Sequence, residues 1–235
     1  MSRAVWWLSA VVLLAAACVA SGPPRPMAVA WRTGLFPAGA SVAGAAYVRP
    51  AGSASAWMAV GATAVGTADA ATGCFASAGG LSWAPCPLRP IDTDGRRTRL
   101  LGVARLGSQV IAGGVAVGAL HGNPRPYLWA GPVGGAMEEL NLPRELFGGE
   151  NIISFRGLAS GPLGGFAVGS YVGVTNQTVA QVWRTADGTD WQRLDGVASL
   201  TGSSEEILRG TAIADGPHRV VLVGASIDLR RLADR

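Results

Sequence analysis

An all-β fold, a β-propeller of about four four-stranded repeat units, is what this 235-residue sequence predicts. Three observations predict it. The chain repeats itself in two registers with one period. Its 34 Gly and 14 Pro cut it into short apolar runs of strand length. None of those runs has the length of a helix.

The first register is aromatic. Trp183-Arg-Thr-Ala-Asp-Gly-Thr-Asp-Trp191 is echoed by Phe75-Ala-Ser-Ala-Gly-Gly-Leu-Ser-Trp83, with aromatics eight positions apart, a hydroxyl third and Gly sixth. Trp129-Ala-Gly-Pro-Val-Gly-Gly-Ala-Met137 keeps the frame. The closing positions 83, 137 and 191 are each 54 apart, and Trp31 stands 52 residues before Trp83. The second register is made of glycines. Gly44 to Gly61, Gly102 to Gly114, Gly157 to Gly169 and Gly210 to Gly224 each read as strand, turn, strand, and their closing glycines lie 53, 55 and 55 apart. The third unit illustrates four strands, near Ile153–Ala159, Gly165–Gly169, Val179–Arg184 and Trp191–Leu194. A single such unit cannot bury both faces, so neighbours must stack.

The elements follow in chain order. Residues 1–17 read as a signal peptide, with Arg3 followed by an apolar stretch from Ala4 to Ala17. Cys18 directly after Ala15-Ala16-Ala17 resembles the bacterial lipoprotein signal, in which the cysteine becomes the lipid-carrying first residue. Residues 18–26, rich in Pro and Gly, then form a lipid-anchored tether, and residues 27–235 the propeller domain. Ordinary cleavage after Ala17 or Ala20, giving a secreted protein, and an uncleaved anchor are the alternatives. Each places the domain outside the cytoplasm. There Cys74 and Cys86 form an even pair in an oxidising compartment and are expected to make a disulfide across one hairpin, the alternative being two buried free thiols.

The turn in the third unit carries a family resemblance. Thr185, Asp187, Gly188 and Trp191 resemble the Asp-box hairpin of sialidase-type bacterial propellers, in which these residues are structural. The resemblance implies the fold far more than an activity. All 19 basic residues are Arg, the bias of a high-GC, actinobacterial-type genome, and they are too scattered for a nucleic-acid stripe.

No catalytic constellation emerges from the residue order. Tyr47, Tyr127 and Tyr171 stand in no recognisable sialidase motif. Glu145 and Glu150 flank Phe147-Gly-Gly and could pair at a propeller mouth, with a solvated loop as the bland reading. Glu138-Glu139 and Glu205-Glu206 read as exposed charges, and His121 and His218 as loop residues. Asn176-Gln-Thr178 matches a glycosylation acceptor and reads as a polar turn. Two histidines make a poor metal site, so no metal or cofactor is expected. The expected function is therefore a non-catalytic propeller lipoprotein, not an enzyme, anchored to the membrane by its lipid and binding an envelope or extracellular protein or glycan. The alternatives are a sialidase-like glycan hydrolase and a truncated propeller without independent activity.

Closure is the last expectation. The register assigns Met27–Trp31 to a fourth strand without its first three. It assigns Leu208–Ile213, Arg219–Gly224 and a segment near Ile227–Leu232 to strands one to three of a last unit. A clasp between Trp31's strand and the C-terminal segment would close a four-unit ring. An open arc that dimerises, or part of a larger propeller, are the alternatives.

Overall fold

The computed structural model describes residues 35–48, 57–64, 71–116, 124–147, 149–173, 176–203 and 205–230, all within one compact unit, Gly34–Arg235. The signal segment, Cys18, the tether, Trp31 and His121 lie outside the described residues.

The fold is all-β and built of propeller blades. The first blade is an antiparallel meander of β1 (Ser41–Tyr47), β2 (Trp57–Thr63), β3 (Ala71–Ser77) and β4 (Ala84–Pro85). A short strand β5 (Leu88–Arg89) then precedes the second blade, β6 (Arg99–Leu106), β7 (Gln109–Ala116), β8 (Arg125–Pro132) and β9 (Met137–Glu139). β5 joins that blade's outer edge, parallel to β9. The third blade is β10 (Ile152–Gly161), β11 (Gly164–Val172), β12 (Thr178–Thr185) and β13 (Trp191–Arg193), each strand within two or three residues of its sequence expectation. The fourth unit has two strands among the described residues, β14 (Glu206–Asp215) and β15 (Val220–Asp228).

The glycine register has a structural cause. In every unit the first strand carries a β-bulge, between Val42 and Gly44, Leu100 and Gly102, Phe155 and Gly157, and Gly210 and Ala212. A bulge turns the first strand's carbonyl toward its neighbour. A Cβ at Gly61, Gly114, Gly169 or Gly224 would collide with the carbonyl oxygen of Ser41, Arg99, Ser154 or Arg209 respectively. The closing glycines are therefore the partners of the bulges.

The aromatic register marks the face each blade turns to its predecessor. Trp129 and Met137 lie with Val48, Met58 and Val60 in the core between the first two blades. Trp183 and Trp191 lie with Ile111 and Leu128 in the next core. Phe166, Val168 and Val182 meet Ile213, Val220 and Leu222 of the fourth unit. Among the described residues no blade precedes the first, and Phe36 lies on the face a predecessor would cover. Its ring stacks on Trp83 at 4.7 Å and meets Phe75 edge-on at 5.6 Å.

Two details of the closure expectation change. Leu35, the described residue nearest Trp31, forms a parallel bridge to Ser82 of the first blade, as Leu88 does to Met137 in the second. The segment entering a blade thus runs first along that blade's outermost strand. At the other end, Ile227 and Asp228 do not start a third strand. β15 runs through Gly224 without a turn, and Ile227 pairs back to Ile207. Among the described residues no sheet joins the fourth unit to the first blade, and no helix is long and apolar enough to cross a membrane.

Candidate functional site

A cleft of about 870 Å³ opens between the second and third blades. It lies where first and third strands begin and second and fourth strands end, so loops and strand ends converge there. One wall comes from the second blade. Tyr127 sits near the start of β8, and Glu139 ends β9. In β9 the two-residue period of a strand buries Met137 and Glu139 and exposes Glu138. Glu138 pairs with Arg89 at the surface, whereas Glu139 is 8% exposed. The expectation that both carboxylates are exposed is thus corrected for Glu139.

The chain leading into the second blade folds over this carboxylate. Glu139 Oε2 accepts a hydrogen bond from the Ile91 N–H at 2.8 Å. Asp92 caps the helical turn Thr93–Arg96, its Oδ1 accepting from the Gly95 N–H at 2.7 Å. Gly95 lies so close over Glu139 that any Cβ would strike its carboxylate. Asp94 pairs with Arg125 at 2.8 Å. Burial pushes the Glu139 carboxyl above its ordinary value. The N–H groups of Ile91 and Asp92 oppose that shift, and the charges of Asp92 and Asp94 add to it. Burial and the same carboxylates push the Tyr127 phenol up to about 12. This wall holds a proton tightly.

The other lining comes from the connection into the third blade and from that blade. A 3-10 turn, Arg144–Phe147, brings Arg144 and Glu145 to the cleft and buries Phe147. The turn is fixed from below, where Trp183 Nε1 donates to the Leu146 carbonyl at 2.7 Å and its ring lies 5.4 Å from Phe147. Tyr171, at the end of β11, supports the Arg193 guanidinium 5.8 Å above its ring. Arg193 also pairs with Asp195 at 2.7 Å. Of the two carboxylates flanking Phe147, Glu145 reaches the cleft. Glu150's side chain is not among those described.

The remaining sequence candidates lie elsewhere. Cys74 and Cys86 form a disulfide with Cα atoms 5.3 Å apart. It ties β3 to the segment just after β4, where Cys86 N–H also donates to the Cys74 carbonyl. Thr185, Asp187, Gly188 and Trp191 close the hairpin at the opposite end of the third blade. Thr185 Oγ1 accepts from Gly188 N–H at 2.8 Å, Asp187 Oδ1 accepts from the N–H groups of Thr189 and Asp190, and Trp191 Nε1 donates to the Gly188 carbonyl. Those two N–H groups, more than the Thr185 hydroxyl, hold the Asp187 carboxyl down at about 2. The first blade repeats the outer part of this network, with Ser77 accepting from Gly80 N–H and Trp83 Nε1 donating to the Gly80 carbonyl. Gly79 stands where the carboxylate would be. Glu205 pairs with Arg230 at the surface, Ser226 with Glu206, and His218 is exposed in a turn. Among the described residues no group of three or more His, Cys, Asp or Glu is placed to hold a metal ion.

No protein-family model and no curated protein sequence matches the chain. Solved structures do resemble it. A protein titled glycoside hydrolase is 12% identical with a TM-score of 0.45, covering 79% of this chain and 70% of its own. A Bombyx mori GH32 beta-fructofuranosidase is 14% identical with a TM-score of 0.42, the match covering 74% of this chain and 39% of the enzyme. A glycosyl hydrolase from Bacteroides ovatus is 10% identical with a TM-score of 0.40, covering 72% and 55%. The expectation of a non-catalytic binding propeller, not an enzyme, is corrected by these neighbours, which are named for glycan cleavage.

Proposed function

We propose that the cleft between the second and third blades hydrolyses a glycan. Glu139 is the proton donor and Glu145 the second carboxylate, which serves the sugar carbon or its attacking water. The observation that supports this most is the burial of Glu139 in a wall that raises its affinity for a proton, within a cleft that also receives an exposed carboxylate. Glycoside hydrolysis needs that pair: one carboxyl kept neutral to protonate the leaving oxygen, one ionised to stabilise or attack the oxocarbenium-like centre. Asp92 and Asp94, held by Gly95 and Arg125, act on Glu139 through their field. Tyr127 and Tyr171 offer ring surfaces to a sugar. The Thr185–Trp191 hairpin, read as an Asp box, stands at the far end of the blade and braces it.

The test is turnover on a panel of aryl glycosides and polysaccharides. Glu139→Gln and Glu145→Gln should each lower kcat by about 10²–10⁴-fold. Glu139→Gln should recover on glycosides with a strongly acidic phenol as leaving group, which need no proton donor, and Glu145→Gln should not. Failure of the wild-type protein to cleave any glycoside, or full activity in Glu139→Gln, would overturn the proposal. The address is proposed alongside it: lipid on Cys18 holds the domain outside the cytoplasm, in keeping with a disulfide that persists under oxidising conditions. Intact mass of the membrane-bound protein without acyl chains would refute that address.

A further inference from the structure

We propose that a second copy of this chain closes the ring, the open face of the fourth unit in one copy packing on the open face of the first blade in the other. The repeat itself carries the inference, because it says what each position does when its neighbour is present. Val221 corresponds in register to Met58, Ile111 and Phe166, which are 2%, 0% and 5% exposed beneath the following blade. Val223 corresponds to Val60 and Val168, both 0% exposed. In the fourth unit no described blade follows, and Val221 and Val223 are 48% and 58% exposed. Their cross-strand partners on the same face are Ala214 and Ala212, also exposed.

The opposite half of the same interface is open on the first blade. Trp57 corresponds to Val110, which is fully buried against the first blade. Here Trp57 is 39% exposed and pairs with Tyr47, 57% exposed, their rings T-shaped at 5.2 Å. Phe36 covers the outer part of this face at Phe75 and Trp83, and Ala59 of β2 is buried, while Tyr47 at the end of β1 and Trp57 at the start of β2 stay open. One molecule therefore carries a small, smooth apolar face at one end and a raised aromatic face at the other. These are the two sides of an interface that the chain already makes three times internally. Apolar side chains exposed side by side, unlike ones scattered singly, mark an interaction site. Both faces are present in every copy, so two copies related by a two-fold satisfy both contacts at once and end the assembly. Two arcs, each of the four described units, give a ring of about eight, inside the usual propeller range.

The experiment uses the full chain in mild detergent, with protein mass read by light scattering and the detergent contribution subtracted. Two chains per particle are expected. Val223→Glu, which places a charge on the smooth face, should weaken self-association by about 100-fold or more while leaving the circular dichroism spectrum of the folded chain unchanged. A second readout does not depend on that variant. Val223→Cys and Trp57→Cys proteins, with Tyr47→Cys as a substitute if the tryptophan is needed for folding, should cross-link when mixed and not alone. One chain per particle at every concentration overturns the proposal. So does an open ladder of masses, a dimer that Val223→Glu leaves intact, or cross-linking of each single variant with itself.

Discussion

Replacing Gly169 by alanine tests the cause assigned to the glycine register. A Cβ at this position would occupy the space of the Ser154 carbonyl oxygen and sit 3.2 Å from Trp183 Cζ3. Ser154 belongs to the bulged stretch of β10, and its oxygen is backbone, so relief requires the strands to part by about 1 Å. Overpacking of that kind costs about 1–3 kcal/mol. The ladder hydrogen bonds weakened beside the bulge add about 1 kcal/mol. A total near 3 kcal/mol lowers the melting temperature of a chain this size by roughly 6–12 °C. Gly157→Ala is the matched control. It opens the same strand pair, but its Cβ would find its nearest neighbours at 3.4–3.7 Å, ordinary contact distance. Alanine there should be neutral or stabilising by up to about 1 kcal/mol, through the unfolded chain. Thermal unfolding by circular dichroism, with urea titration for the slope, reads both. Equal melting temperatures for the two variants would refute the bulge explanation and leave the glycines as turn residues only.

Three further outcomes follow from the same geometry. Reducing the Cys74–Cys86 bridge, or Cys86→Ser, should cost about 2–3 kcal/mol for so short a loop, and non-reducing peptide mapping of exported protein should recover the linked pair. Asp187→Ala removes the acceptor for two N–H groups and should cost about 1 kcal/mol, as losing a capping side chain does. Because folding lowers the Asp187 pKa from 3.8 to about 2, its stabilisation is present above pH 4 and is lost as pH falls toward 2, a dependence that the alanine variant should lack in acid titration. Glu139 has the opposite sign. Folding raises its pKa, so the native state binds the proton more tightly, and stability should decline as pH rises from its ordinary value through the raised one. Glu139→Gln should flatten that decline in unfolding curves taken across pH.

The repeat was legible because it answers to steric rules that act at single positions. A bulge that turns a carbonyl inward excludes every Cβ from the facing residue, so the glycines recur with the blades. The positive φ glycines Gly80, Gly134 and Gly188 fall 54 residues apart for the same kind of reason, and Gly134 gives the second blade this position without the Asp or the Trp. The cleft was harder to read. Glu138 and Glu139 look alike in the sequence, and what separates them is the alternation Met137-Glu138-Glu139, three residues long and easily passed over. The loop that covers Glu139 comes from 48 residues earlier, and no local pattern announces it. Leu35 and β5 give no signal in the sequence, since a parallel contact of one or two residues leaves no periodic trace. The register closes its second strand at Gly224 and puts a third near Ile227–Leu232, which needs a turn between them. Pairing with Glu206–Gly210 keeps residues 224–228 extended instead.

The parallel segments along the rim bear on solubility. Leu35 and β5 lie against the outermost part of the first and second blades, where an unpaired strand would otherwise offer its N–H and C=O groups to another chain. In the third blade, β13 is three residues long and carries Arg193, the short, charged design that discourages template pairing. β15 has neither protection. It is nine residues long, its outer side forms no ladder among the described residues, and Val220-Val-Leu-Val223 is uncharged and rich in β-branched side chains. Such a segment meets the compositional description of an amyloid-forming stretch. Inclusion bodies or fibrils of this protein should therefore have β15 in their ordered core, and a lysine at an exposed position of that strand should raise the soluble yield.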